Sequence, residues 1–314
     1  MTRYLFYFIV RVGDTRTAVI APRVVETREK EAMTKKEKEA MTKKFLRRAA
    51  AAAVALALAA AAMFVSACGI WDAGSGGHGG NGGGTAPGED LSGIADKPES
   101  EITKIADFSL GDPQNNNNYN WQKANWQNDP KLFGCRWREQ NISFSGGQMH
   151  LSLWKEGNEE YSGEYRSYGR YGHGYYSVSM KAMKGDGVIS SFFTYTNDPH
   201  WDEIDIEFLG DDMTRVQFNY YTKGVGGHEF VYDLGFDASA EFHTYGFEWL
   251  ENSIVWYVDG KPVHKATEDI PTANAQIMMN LWNIAETGPK DWAGVYSGAT
   301  GSASYEWVGF DPAE

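Results

Sequence analysis

The chain has 314 residues, with 42 Asp plus Glu against 29 Lys plus Arg, 14% aromatic residues and 2 cysteines. A formal charge of −13 argues against nucleic acid and anionic polysaccharides as partners, and two cysteines exclude a disulfide-built scaffold. The length suits one large β domain or two smaller ones.

The N-terminal part differs from the rest. Residues 1–40 contain an apolar patch from Tyr4 to Val10 that is too short to span a bilayer. Met33 and Met41 both open Met-Thr-Lys-Lys, so either could be the true start, and residues 1–40 are read as a mis-called upstream segment. From Met41, Lys43-Lys44 and Arg47-Arg48 precede an apolar run from Ala49 to Val65, which closes on Ser66-Ala67-Cys68. A basic region, an apolar stretch and small residues before a cut make residues 41–68 a secretory signal. Its final cysteine resembles the bacterial lipoprotein signal. That resemblance implies a lipidated Cys68, an exported cell-surface protein and a membrane anchor, or plain secretion if Cys68 is not lipidated. A lone transmembrane anchor competes, but about seventeen Ala-rich residues is the short limit for spanning.

Residues 69–314 then carry 36 Asp plus Glu and 16 Lys plus Arg, a net charge of −20 that is compatible with a neutral glycan. Residues 69–100 read as a flexible tether rich in glycine, from Gly74 to Gly84, with little that could form a core. Residues 101–314 form one domain with ten tryptophans and no long helical period. Alternating runs predict strands at 142–144, 149–153, 175–180, 188–195, 203–209, 216–221, 245–250, 254–258, 277–282 and 305–310. Asp259-Gly260 predicts a two-residue hairpin turn. Ten such strands indicate an all-β sandwich or barrel. Cys135, between Phe133 and Trp137, is expected as a buried packing residue rather than a reactive thiol.

The most informative run is Trp201-Asp202-Glu203-Ile204-Asp205-Ile206-Glu207-Phe208. Strand periodicity places Glu203, Asp205 and Glu207 on one face and Ile204, Ile206 and Phe208 on the other. Aligning three carboxylates costs free energy unless the site uses it. A solvated acidic face would carry Lys, Arg, Ser or Thr among the acids, and a calcium loop would place its ligands on turns with Gly and Asn. Glycoside hydrolysis is the reading that uses paired carboxyls, one as nucleophile and one as acid. On 216–221, Gln217, Asn219 and Tyr221 share a face; on 277–282, Asn280 and Trp282 do. Rings stack on the C–H face of a sugar and amides bond its hydroxyls, so these faces suit a glycan.

These segments are similar to glycoside hydrolase family 16, in its bacterial lichenase branch. The matching motifs are Glu164-Tyr165-Arg166-Ser167, SSFFTYT from Ser190, WDEIDIEFLG from Trp201, VQFNYYTKGVGGHE from Val216, LGFDAS from Leu234, WYVDG from Trp256 and IMMNLWN from Ile277. The resemblance implies a concanavalin-like jelly-roll sandwich of two antiparallel sheets, with a substrate cleft on the concave one. It implies Glu203 as nucleophile, Glu207 as acid/base and Asp205 as the residue between them. It also implies substrate contacts from Glu164, Arg166, Phe193, Tyr195, Trp201, Asn219, Tyr221, Asn280, Trp282 and Trp292. The single-residue spacing Glu-Ile-Asp-Ile-Glu matches the lichenase branch, whereas many laminarinases carry one more residue before the last Glu.

The expected substrate is a β-glucan with mixed β-1,3 and β-1,4 linkages, handled by a monomer without a required cofactor. A laminarinase or transglycosylase of the same fold is one alternative, and a non-catalytic glycan-binding lipoprotein another. Two departures stand out. Ser162 occupies the position of a cysteine that pairs, in the family, with the one matching Cys135. Glu306 stands where the family uses an aspartate for a structural calcium, which leaves the metal open.

Overall fold

A computed structural model of the full chain describes residues 8–12, 15–19, 90–113 and 121–313. The secretory signal, Cys68 and residues 69–89 of the tether lie outside the described residues. Toward the N-terminus a separate unit contains two strands, β1 (Phe8–Val12) and β2 (Thr15–Val19), paired antiparallel with Val12 opposite Thr15.

The second unit is a jelly-roll β-sandwich, as expected. One sheet runs β14 (Phe230–Asp233), β13 (Arg215–Tyr221), β12 (Trp201–Leu209), β11 (Val188–Asn197), β18 (Gln276–Asn283), β9 (Glu164–Ser167) and β4 (Trp121–Lys123). The other runs β17 (Lys261–Ala266), β16 (Ser253–Val258), β15 (His243–Leu250), β10 (Gly174–Lys181), β19 (Gly301–Pro312), β7 (Gln148–Glu156), β8 (Glu159–Ser162) and β5 (Cys135–Trp137). Two further strands flank that path: β3 (Lys104–Asp107) pairs with β19, and β6 (Ile142–Ser145) with β7. All ten strands expected from alternation are present. Among the described strands, pairing is antiparallel except for β5 with β8, which are parallel and set Cys135 opposite Glu160 and Trp137 opposite Ser162.

The facing sides of the two sheets make one apolar core. Ile204, Ile206 and Phe208 from β12, Phe192 from β11, and Ile277, Met279 and Leu281 from β18 meet Tyr245, Phe247, Trp249 and Trp256 from the opposite sheet. Each of these large side chains contributes roughly 1.5–3 kcal/mol through removal from water. Cys135 is buried and free, and burial pushes its thiol up to about 12, so it packs as expected. The Ser162 hydroxyl is buried without a hydrogen-bond partner.

At the hairpin between β16 and β17, Asp259 and Gly260 have φ of 48° and 72°. That left-handed pair matches the twist of the flanking strands, as the Asp-Gly signal predicts. Gly260 also accepts a hydrogen bond from the Lys97 amide at 2.8 Å. This contact belongs to a strap formed by residues 91–102, most of which composition groups with the tether. Ile94 and Ile102 pack on Tyr175, Val255 and Tyr257, on the outer side of the β10–β15–β16 sheet. Lys97 Nζ lies 2.6 Å from Glu248 and 5.3 Å from the centre of the Tyr175 ring. The flexible reading of the tether therefore needs correcting for residues 91–100, which are laid on the domain.

Candidate active site

Register builds the site row by row on the open side of the sheet that contains β12. Glu203 stands between Tyr195 and Tyr221, Asp205 between Phe193 and Asn219, and Glu207 between Ser191 and Gln217. On the far side of β11, Ser191 faces Asn280 and Ile189 faces Trp282. Next come Glu164 opposite Asn280 and Arg166 opposite Met278. β-Branched isoleucines between the acids hold β12 extended and turn the carboxyls outward.

Contacts within this face orient the acids. Trp201 donates its indole N–H to Glu203 Oε2 at 2.5 Å, and its ring stacks on Tyr221 with centroids 4.5 Å apart. Gln217 donates to Glu207 Oε2 at 3.2 Å and accepts from Trp292 Nε1 at 3.1 Å. Trp292 sits on the short helix α1 (Lys290–Ala293), which brings it to the site from a loop. Arg166 donates to Gln122 at 3.3 Å, and its guanidinium lies 4.3 Å from the centre of the Trp126 ring. Ser191 donates to Asn280 Oδ1. Asn219 accepts from the Tyr220 amide at 2.9 Å.

All three central carboxyls are held above the ordinary carboxylate range. For Asp205, only 5% exposed, burial is the main cause, followed by the charges of Glu203 and Glu207. For Glu207, burial comes first and the charge of Glu203 second, opposed by the Gln217 amide. Glu203 is raised mainly by burial, but the Trp201 N–H and a hydrogen bond with Asp205 pull it back. That bond raises Asp205 and lowers Glu203, so Asp205 is the proton donor of the pair. Glu203 therefore has the most hydrogen-bond support for its ionised form, while the neighbouring charges oppose ionisation of Asp205 and Glu207. One ionised and one protonated carboxyl on a shared face is what a nucleophile and a general acid require. Glu164 is pushed up to about 7 by burial, against the Arg166 charge and the Asn280 amide.

Every subsite residue expected from the sequence lies on this face or its rim, Cys68 being outside the described residues. Trp282 differs in exposure from the expected stacking platform. It has the right parity but is only 4% exposed, with its ring centroid 4.4 Å from Phe133 and 6.0 Å from Trp292. It forms the packed base of a wall. Ser191, Trp126 and Phe133 carried no sequence signal as site residues. Each matters through a neighbour that lies far away in the chain.

The family model of the glycosyl hydrolases family 16 matches residues 129–309. The chain belongs to this family. It is a glycoside hydrolase. A β-glucanase of Paenibacillus polymyxa is 53% identical over 198 residues, covering 61% of this chain and 82% of that protein. A β-1,3-1,4-glucanase (lichenase) derived from a mouse hindgut metagenome superposes with a TM-score of 0.61 at 42% identity, over 68% of this chain and all of that one, 100%. The β-glucanase of Bacillus licheniformis gives a TM-score of 0.61 at 47% identity, over 67% of this chain and 98% of that one. At 19% identity, the laminarinase catalytic domain of Thermotoga maritima shares the fold, with a TM-score of 0.58.

The family resemblance left a calcium open at Glu306. There the carboxylate accepts a hydrogen bond from Ser179 Oγ at 2.7 Å. Among the described residues no group of three or more His, Cys, Asp and Glu side chains is gathered closely enough to hold a metal ion.

Proposed function

We propose that this glycoside hydrolase is an endo-acting β-glucanase that cleaves β-1,4 bonds next to β-1,3 linkages in mixed-linkage glucan, with retention of configuration. The observation that carries this reading is the Glu203–Asp205–Glu207 row, on single-residue spacing, set among rings and amides on the open face. The β-glucanase relatives and the lichenase likeness support the substrate class.

In the first step an ionised Glu203 oxygen attacks the anomeric carbon and forms an ester bond. The bond from that carbon to the glycosidic oxygen breaks, and the departing oxygen takes the proton from Glu207. In the second step the Glu207 carboxylate takes a proton from water as the water oxygen attacks the same carbon and releases Glu203. Two inversions leave the original configuration. A retaining pair needs carboxyls roughly 5–5.5 Å apart, so side chains on a strand that rises about 13 Å over four residues must lean together over the bound sugar. Asp205 keeps the charge between them low by holding its proton.

Reducing-sugar release from lichenan, laminarin and xyloglucan tests the substrate, and NMR of the first-formed anomer tests the stereochemistry. Faster hydrolysis of laminarin than lichenan would make the chain a laminarinase. Glycan transfer without hydrolysis would make it a transglycosylase, and binding without turnover would reduce it to a lectin-like protein.

The same reading places the enzyme outside the cytoplasm, anchored through a lipid on Cys68. Incorporation of labelled fatty acid that is lost in Cys68→Ser supports the anchor. A soluble product cut elsewhere between Ala49 and Ala67 would show plain secretion instead.

A further inference from the structure

Asp202 precedes Glu203 but turns to the opposite side of β12, where only 1% of it is exposed. Its carboxylate holds together segments that are remote in the chain. Oδ1 accepts the Lys223 amide at 2.8 Å. Oδ2 accepts the amides of Thr272 at 2.7 Å and Ala273 at 2.9 Å, and lies 3.2 Å from His200 Nε2. One carboxylate thus fastens the turn that follows β13 and the loop that leads into β18 to the start of β12. A buried carboxylate that receives several N–H groups is a stiff anchor, because charge-assisted bonds are roughly twice as strong as neutral ones.

The Lys223 turn is also the backing of the nucleophile's partner. Lys223 itself has φ of 54°, a left-handed conformation that is strained for a side chain with a Cβ and persists only where its surroundings hold it. The Gly224 amide donates to the Trp201 main-chain oxygen at 2.8 Å, and a Cβ built on Gly224 would stand 3.5 Å from the Trp201 ring. Tyr221, the last residue of β13 before this turn, stacks on the same indole at 4.5 Å. The indole N–H in turn reaches Glu203 at 2.5 Å.

We infer that Asp202 is a positioning residue for the nucleophile: by holding the Lys223 turn, it sets Trp201 at the angle from which the indole orients and stabilises the ionised Glu203. The inference rests on the reading of Glu203 as nucleophile. Asparagine at this position has one oxygen where aspartate has two. It would keep that oxygen on the Thr272, Ala273 and His200 side, where the donors are most numerous. Its NH₂ would then face the Lys223 amide, donor against donor, and the turn would let go.

The test compares wild type, Asp202→Asn, Trp201→Phe and the double variant on lichenan, at a temperature where each is folded by circular dichroism. Asp202→Asn is expected to lower kcat roughly ten-fold with little change in KM, since the bond it supports is used in the transition state. The acid limb of its kcat/KM profile is expected to move up by about half a unit, because Glu203 becomes harder to ionise. The double variant should be hardly worse than Trp201→Phe alone, as two groups that act through one contact are not additive. A wild-type kcat, an unmoved acid limb, or losses that multiply in the double variant would overturn the inference. Asp202→Ser, which keeps one acceptor, is the second variant. Failure of both to fold would make Asp202 a folding residue and overturn the inference as well. Wild type that is inactive on every β-glucan would instead refute the proposed function.

Discussion

The indole N–H of Trp256 donates to the main-chain oxygen of Asp205 at 3.2 Å, through the core from the opposite sheet. The middle carboxyl of the active row is thereby attached to a residue of β16 that lies against Phe218 and His264 at ring distances of 5.6 Å and 5.1 Å. Trp256→Phe keeps an aromatic ring at this position and removes the donor. Leaving that bond unmade should cost about 1–3 kcal/mol in a denaturant titration. Unchanged stability would mean that the carbonyl's partners within the sheet suffice.

Glu203→Gln and Glu207→Gln should each lower turnover by several orders of magnitude while the circular dichroism spectrum stays that of the wild type. Azide should restore a Glu203→Ala variant with an α-glycosyl azide product, because the small anion takes the nucleophile's place. For Glu207→Ala the product should be the β-anomer, since Glu203 then still acts first. Swapped anomers would exchange the two roles.

The raised carboxyls link stability to pH. A group whose folded pKa is raised contributes its full stability below the unfolded value, about 4.3 for Glu, and loses it as pH rises through the folded value. Glu207 and Asp205 are both raised, chiefly by burial. Melting temperatures of wild type and Glu207→Gln should therefore be closest near the ordinary carboxylate range and diverge as pH rises, with the variant the more stable. A gap that is constant across pH would refute the linkage. Activity should persist through neutral pH and decline once Glu207 loses its proton.

The strap is expected to matter for stability and not for chemistry. Ile94→Ala removes part of the apolar cover over Tyr175, Val255 and Tyr257. Lys97→Ala breaks a partly exposed pair with Glu248 (29% and 23% exposed), which contributes about 1 kcal/mol or less. Both should lower the melting temperature while leaving kcat/KM of the folded enzyme unchanged, because this face lies behind the sheet that faces away from the cleft. A fall in kcat/KM would mean that the strap transmits to the active row.

Alternation alone carried much of the fold. Long strands such as β11, β12 and β18 repeat a two-residue pattern often enough to declare both their state and their buried side, and that parity placed Glu203, Asp205 and Glu207 together. The strands β4, β5 and β9 span three or four residues each, too few for any period to show. Glu164 and Arg166 on β9 were therefore legible only through the family motif. Exposure was less legible than parity. Trp282 points as its strand dictates, yet Phe133 and Trp292 close over it, one from a loop and the other from the short helix α1, along paths that no local pattern records. The N-terminal strap was hidden for a similar reason, since Ile94 and Lys97 look like linker until Tyr257 and Glu248 stand beside them.

The chain by itself determined which residues share a face, because side-chain direction on a strand follows from local geometry and needs no partner. It determined as well that three carboxyls would stand in a row, an arrangement that supplies the carboxyl pair of glycoside hydrolysis. Which of the three has the most support for a charge was decided only by the tertiary structure. Trp201 and Asp205 give hydrogen bonds to Glu203, while Glu207 has the weaker support of Gln217. Ionisation depends on desolvation and on donors within a few ångströms, and those distances exist only once separate strands and loops have been brought together.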